Sequence, residues 1–172
     1  SGANVLLIEK ESSLGGIARS GLNNYICGLY PSPAKTPRKT LNGGISREVC
    51  LNLKKLDPSN KITRIGKVFV LPYSTQDLMK VFILLLQKEK GLKVLKNCCA
   101  VSVKTSRKVV VDVKAKGKKR SFIISPKVVV DSSGEGDIIK LSGAKYLLSD
   151  PSQRQLAGYS IRIKGIKSAS QM

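Results

Sequence analysis

The 172 residues carry 31 Lys and Arg against 11 Asp and Glu, a net charge of +20, with 41% apolar residues, no His and no Trp. That length bounds the chain to one domain, or one domain and part of another, and the apolar share suffices for a core. Missing imidazole excludes His as base, proton shuttle or metal ligand, while the basic excess points to an anionic partner.

Asn4 to Glu9 reads as a strand buried on both faces, because it is continuously apolar rather than alternating. Residues 10–44 are rich in Gly, Ser, Pro and Asn and hold little regular structure beyond a short helix near Gly16 to Ser20. Ile45 to Leu56 places Ile45, Val49, Leu53 and Leu56 at helical spacing and stops at Asp57-Pro58. Lys67 to Leu71 reads as a short strand. The clearest helix is Thr75 to Lys90, with the Ser74/Asp77 cap signature, Lys88 and Lys90 in its last turn and Gly91 as its stop. Its first half is apolar nearly all round, which predicts a sheet on one side and another layer above.

Strands follow at Leu92 to Leu95, Cys98 to Lys104, Val109 to Val113 and Phe122 to Ile124. KAKGKKR (Lys114 to Arg120) is a basic hairpin tip with Gly117 at the turn. Val128 to Asp131 reads as a second fully apolar strand, leading through SSGEGD into a helix from about Glu135 to Leu141 that ends at Gly143. Tyr159 to Ile163 begins a further strand. A βα alternation mixed with a meander predicts an α/β sheet carrying an antiparallel excursion.

The lysines are spread from Lys10 to Lys167, with the one tight cluster in the hairpin, and aromatics are only 5%. Spread lysine is ordinarily a solvated surface, and stacking platforms for single strands are scarce, so no specific nucleic-acid partner is expected. The spacing of Cys27, Cys50, Cys98 and Cys99 matches no zinc pattern and implies reduced thiols in a cytoplasmic protein, with no metal. No signal peptide is visible, and the longest apolar run, Val81 to Leu86, is too short to span a bilayer. The chain starts at Ser1 and has no Met before Met79, so it reads as a piece of something longer.

Both fully apolar strands end on an acid followed by glycines. In open α/β sheets ligands sit beyond the carboxyl ends of the strands, and an acid there accepts hydrogen bonds from a ribose diol. Glu9 is placed for that task, with Gly15 and Gly16 allowing close backbone approach. At the other strand Ser132, Ser133, Gly134 and Gly136 introduce a helix whose N–H groups could face a phosphate. Glu135 and Asp137 compete for the same donors and could cap the helix instead. Ordinary strand-turn-helix capping explains either place taken alone.

ANVLLIEKESSLGGIARSGLNNYICGLY (Ala3 to Tyr30) resembles the segment after the first helix in FAD-dependent oxidoreductases of the glutathione-reductase-like, two-dinucleotide-fold superfamily. VVVDSSGEGDIIKLSGA (Val128 to Ala144) resembles their later motif, an apolar strand followed by D-A-T-G-D-G-D and a small-residue helix. LNGGISREV and the helix-strand-strand run from Ser74 to Val103 also fit. The resemblance implies an FAD/NAD(P)-binding Rossmann-like parallel sheet with an antiparallel β-meander, incomplete at the N-terminus. Residues 1–163 would form a partial FAD-binding domain with an inserted segment at about 22–66, and 164–172 a tail or the start of a substrate domain.

Residue by residue, the resemblance implies Glu9 on the adenosine ribose with Lys10 beside it, and Gly15 and Gly16 along the pyrophosphate and ribityl path. Ile17 to Ser20 would approach the flavin ring and Val101 the adenine. Ser133, Gly134, Gly136 and Asp137 would close the site. Ser132 and Ser133 replace the family's Ala and Thr, and Glu135 replaces an Asp. The family's G-x-G-x-x-G turn lies about 20 residues before the acid, which puts it ahead of Ser1. The implied activity is flavin-mediated hydride or electron transfer with a small substrate. No residue is singled out as catalytic: Cys27 reads as a buried, inert thiol rather than a redox partner. Arg19 could contact an anionic substrate or phosphate, or lie at the surface. The competing reading is a non-catalytic, basic anion- or nucleic-acid-binding module. Residues 1–172 alone are expected to bind FAD weakly or not at all, and to dissolve poorly through an unpaired sheet edge.

Overall fold

The structure is a computed structural model that describes residues 2–32, 35–37, 39–156, 158, 160, 161, 163 and 165. The elements in chain order are β1 (Val5–Ile8), α1 (Gly16–Ser20), β2 (Tyr25–Ile26), α2 (Ile45–Leu56), β3 (Thr63–Ile65), β4 (Val68–Pro72) and α3 (Thr75–Gln87). They continue with β5 (Leu92–Leu95), β6 (Cys98–Ser106), β7 (Val109–Gly117), β8 (Ser121–Ile124) and α4 (Asp137–Ser142), and a 3₁₀ turn at Pro151–Gln153 closes the series. The chain forms two compact units. One takes Ser1–Ser13 and Gly91–Ala157, the other Leu14–Lys90 and Gly158–Met172.

In the second unit β4 is the central strand of the order β2-β4-β3, antiparallel to both neighbours. Its run Phe69, Val70 and Leu71 is buried, and Phe69 and Leu71 join Tyr30, Cys50, Leu53, Tyr73, Leu78 and Val81 in one apolar cluster. α3 opens as its sequence dictates: the Asp77 N–H donates to Ser74 Oγ at 3.0 Å, and the Ser74 hydroxyl donates to Asp77 Oδ2 at 2.6 Å. The expected all-round burial of its first half does not occur, because only Leu78 and Val81 are fully buried while Ile83 and Leu84 face outward. The helix ends at Gln87, and Lys88 pairs with Glu48 on α2 at 3.1 Å. α2 keeps its expected bounds but turns a different face inward. Cys50 and Leu53 are buried, whereas Ile45 and Leu56 are exposed.

The first unit holds a parallel pair, with β1 running alongside β5 in the register Val5 to Leu92 through Ile8 to Leu95. Beside it in sequence lies the antiparallel meander β6-β7-β8. The fold is thus mixed α/β, with a parallel pair and antiparallel sheets. The sequence predicts β1 buried on both faces, yet Val5 and Leu6 are exposed, since β5 is its one strand partner among the described residues. The second apolar strand does not form. Val128 and Val130 are 80% and 82% exposed, and residues 128–131 join no ladder, because no described strand lies next to them. The strand expected at 159–163 falls partly on residues outside the described set. The basic stretch is less of a tip than its sequence suggests: Lys114 and Lys116 lie within β7, with the turn at 118–120. Among the described residues no helix is long and apolar enough to cross a membrane.

Candidate cofactor site

In the first unit β1 delivers Glu9 with its backbone fixed on both sides. The Glu9 N–H donates to the Leu95 carbonyl at 2.8 Å, and its own carbonyl accepts from the Cys98 N–H at 3.0 Å. The side chain accepts from the Glu11 N–H through Oε1 at 2.8 Å, and Oε2 has no hydrogen bond among the described residues. Lys10 follows, exposed. The ladder of β6 shifts register between Ala100 and Ser102, which leaves Val101 as the extra, exposed residue of a bulge. Bulges of this kind re-aim a side chain. α4 packs against β6, so the later motif and the strand of Val101 are neighbours within the unit.

The motif before α4 is organised by the acid that ends the second apolar run. Asp131 Oδ1 accepts from Ser133 Oγ at 2.7 Å and from its N–H at 3.0 Å. Asp131 Oδ2 accepts from the N–H groups of Ile138 and Ile139 at 2.9 and 3.3 Å, and the Asp137 N–H donates to Ser133 Oγ at 2.9 Å. These bonds, led by the Ser133 hydroxyl, hold the Asp131 carboxyl below its ordinary range. The positive end of α4 therefore already carries a carboxylate. Its cap is Asp131, where the sequence suggested Glu135 or Asp137. Gly134 and Gly136 adopt left-handed backbone, and neither their amides nor that of Glu135 enter the described hydrogen bonds. The signal for this cap was the Asp-x-Ser spacing of Asp131 and Ser133, an Asx-type turn.

In the second unit Gly15 and Gly16 serve different ends. Gly15 has φ +104°, and a Cβ there would stand 3.0 Å from Met79 Sδ and 3.3 Å from Arg19 Cβ, so this glycine lets α1 close on α3. Gly16 has φ +44° with nothing within 4 Å of a Cβ, which leaves its backbone open to a ligand. α1 is then pinned by Tyr73, whose hydroxyl lies 2.7 Å from the Ala18 carbonyl and 3.0 Å from that of Asn23. One phenol proton shared between two carbonyls ties both ends of this segment to the strand-helix corner of β4 and α3. Burial raises the Tyr73 pKa, which keeps that proton in place. Nothing in the sequence marked Tyr73.

A largely apolar pocket of about 480 Å³ lies in the same unit, with Ile17, Ala18, Tyr25, Cys27, Tyr73 and Phe82 on its wall. Cys27 is exposed and free, contrary to its reading as a buried thiol. Arg19 is exposed as well.

The FAD-dependent oxidoreductase family model matches residues 1–171. The chain belongs to this family. Its cofactor is FAD. Among solved structures the crystal structure of Thermovibrio ammonificans THI4 is similar, with a TM-score of 0.50 at 16% sequence identity, which supports the fold alone. That match covers 84% of this chain and 55% of the THI4 chain, so this chain spans about half the length of that neighbour. No curated protein matches. Within the first unit the free oxygen of Glu9 is chemically suited to a ribose hydroxyl. Within the second, Gly16 leaves its backbone open to close approach by a ligand. The first turn of α4 offers the helical amides of Ile138 and Ile139 to Asp131 instead.

Proposed function

We propose that the protein carrying this chain is a flavin-dependent oxidoreductase that passes a hydride or electrons between FAD and a small substrate. Bound flavin supplies the redox chemistry, and the protein positions it. The observation that carries this reading is Glu9, at the C-terminal end of a parallel strand with one carboxylate oxygen free. In the first unit Glu9 accepts from the adenosine ribose, Lys10 lies beside it, and Val101 on its bulge meets the adenine. Gly134 and Gly136 line the cofactor with amides outside the described hydrogen bonds, and Ser133 and Asp137 flank them. Within the second unit, taken by itself, Gly15 and Gly16 supply the glycine turn and Ile17 to Ser20 the short helix that the family resemblance implies for cofactor binding. The apolar pocket beside α1 excludes water from the substrate and carries the Cys27 thiol on its wall. Four free thiols support a cytoplasmic location.

The test is FAD uptake by the full-length protein, read as visible flavin absorbance that co-elutes with it on gel filtration. Glu9→Gln should bind FAD about tenfold more weakly, because a hydrogen bond to a charged acceptor becomes one to a neutral amide. A full-length protein that stays colourless with added FAD would sink the reading.

A further inference from the structure

A second pocket of about 260 Å³ in the same unit has no part in the flavin reading. Its wall includes Tyr30, Lys39, Thr40, Arg47, Cys50 and Lys54, together with the turn before α2. We propose that this pocket binds a compact dianion, a phosphoryl group or a small dicarboxylate.

Three observations carry the proposal. Arg47, Cys50, Leu51 and Lys54 recur at helical spacing, so one face of α2 presents both cations to the pocket. Lys39 adds a third cation from the preceding loop, no carboxylate lines the pocket, and none of the three forms an ion pair among the described residues. The local placement is also unfavourable without a ligand. Arg47 sits in the first turn of α2, where the positive helix end disfavours a cation, and Gly44 provides no side-chain cap for the amides. The acid in that turn, Glu48, is engaged by Lys88 at 3.1 Å. An anion in the pocket would pair the Arg47 guanidinium and offset its unfavourable place in the first turn.

The third observation is a buried polar group without a partner. Tyr30 is 5% exposed, and among the described residues its hydroxyl makes no hydrogen bond of normal geometry. Its polar neighbour is the Cys50 thiol, a weak donor and acceptor that does not satisfy a phenol. Leaving such a group unsatisfied is costly, and a ligand oxygen reaching the floor of the pocket would supply what it lacks.

Inorganic phosphate and malonate titrated into the full-length protein by calorimetry at physiological chloride test the proposal. Saturable binding is expected, with Arg47→Gln and Lys54→Gln each weakening it about tenfold. The double substitution Lys118→Gln/Lys119→Gln on the hairpin of the other unit should leave it unchanged. Tighter phosphate assigns the ligand to the phosphoryl class and tighter malonate to the carboxylate class. Absence of binding by either anion overturns the proposal, as does an equal loss in the hairpin control, which would reveal general attraction to a basic protein. Because the readout is anion binding without flavin, its failure leaves the FAD reading standing.

Discussion

The two units share one chain but are held together differently. The Leu14–Lys90 unit closes one apolar cluster around β4, with Leu53, Leu71, Leu78 and Val81 almost wholly excluded from water. Among its described residues the Ser1–Ser13 and Gly91–Ala157 unit buries only Cys98, Val113 and Ala115 fully, and its longest continuous element is the β6-β7-β8 ladder. Meanwhile Val5, Leu6, Val128, Val130 and Leu147 face outward. The difference shows that similar apolar content in two segments does not give similar cores. One unit is stabilised by side-chain packing, the other chiefly by backbone pairing with its apolar surface left open.

Core truncation should separate the units most. Leu71→Ala is expected to cost about 2–5 kcal/mol, and Val113→Ala in the meander about 1–2 kcal/mol, by urea unfolding. Equal costs would erase the contrast. Next in size, Tyr73→Phe should lose about 1–2 kcal/mol and speed hydrogen exchange at Gly21, whose N–H bonds Ile17 O within the segment that Tyr73 ties down. Unchanged exchange there would mean that α1 is held by packing alone. Ser74→Ala should cost about 1 kcal/mol through loss of the α3 cap, measured by thermal or urea unfolding.

The smallest effect belongs to Asp131 in the open unit. Its folded pKa lies below the ordinary 3.8, so its contribution to stability is present above that value and lost as pH falls through the folded one. Solvent exposure keeps the effect small. Asp131→Asn should flatten that acid limb of the stability profile, and a carboxyl NMR titration of Asp131 with an ordinary midpoint would contradict the cap.

Local chemistry was legible where the cause is local. The Ser74 cap fixed the start of α3, Asp57-Pro58 the end of α2, and alternation with a basic turn gave the meander. The position of Glu9 at a strand end followed from the same kind of pattern. What each apolar face meets was not legible, because burial depends on partners distant in sequence. VFILLL and VVV read alike as deeply buried, yet Ile83, Leu84, Val128 and Val130 lie open. Likewise Tyr73 reaches Ala18 and Asn23 across some fifty residues, and Asp131 captures amides that the sequence left to a phosphate. The sequence by itself determined the helices, most of the strands and the order of the two acid-glycine motifs, because caps, breakers and alternation act within a few residues. Only the tertiary structure decided which donors stay free, which glycine is packed and which is open, and where three cations converge with no acid among them.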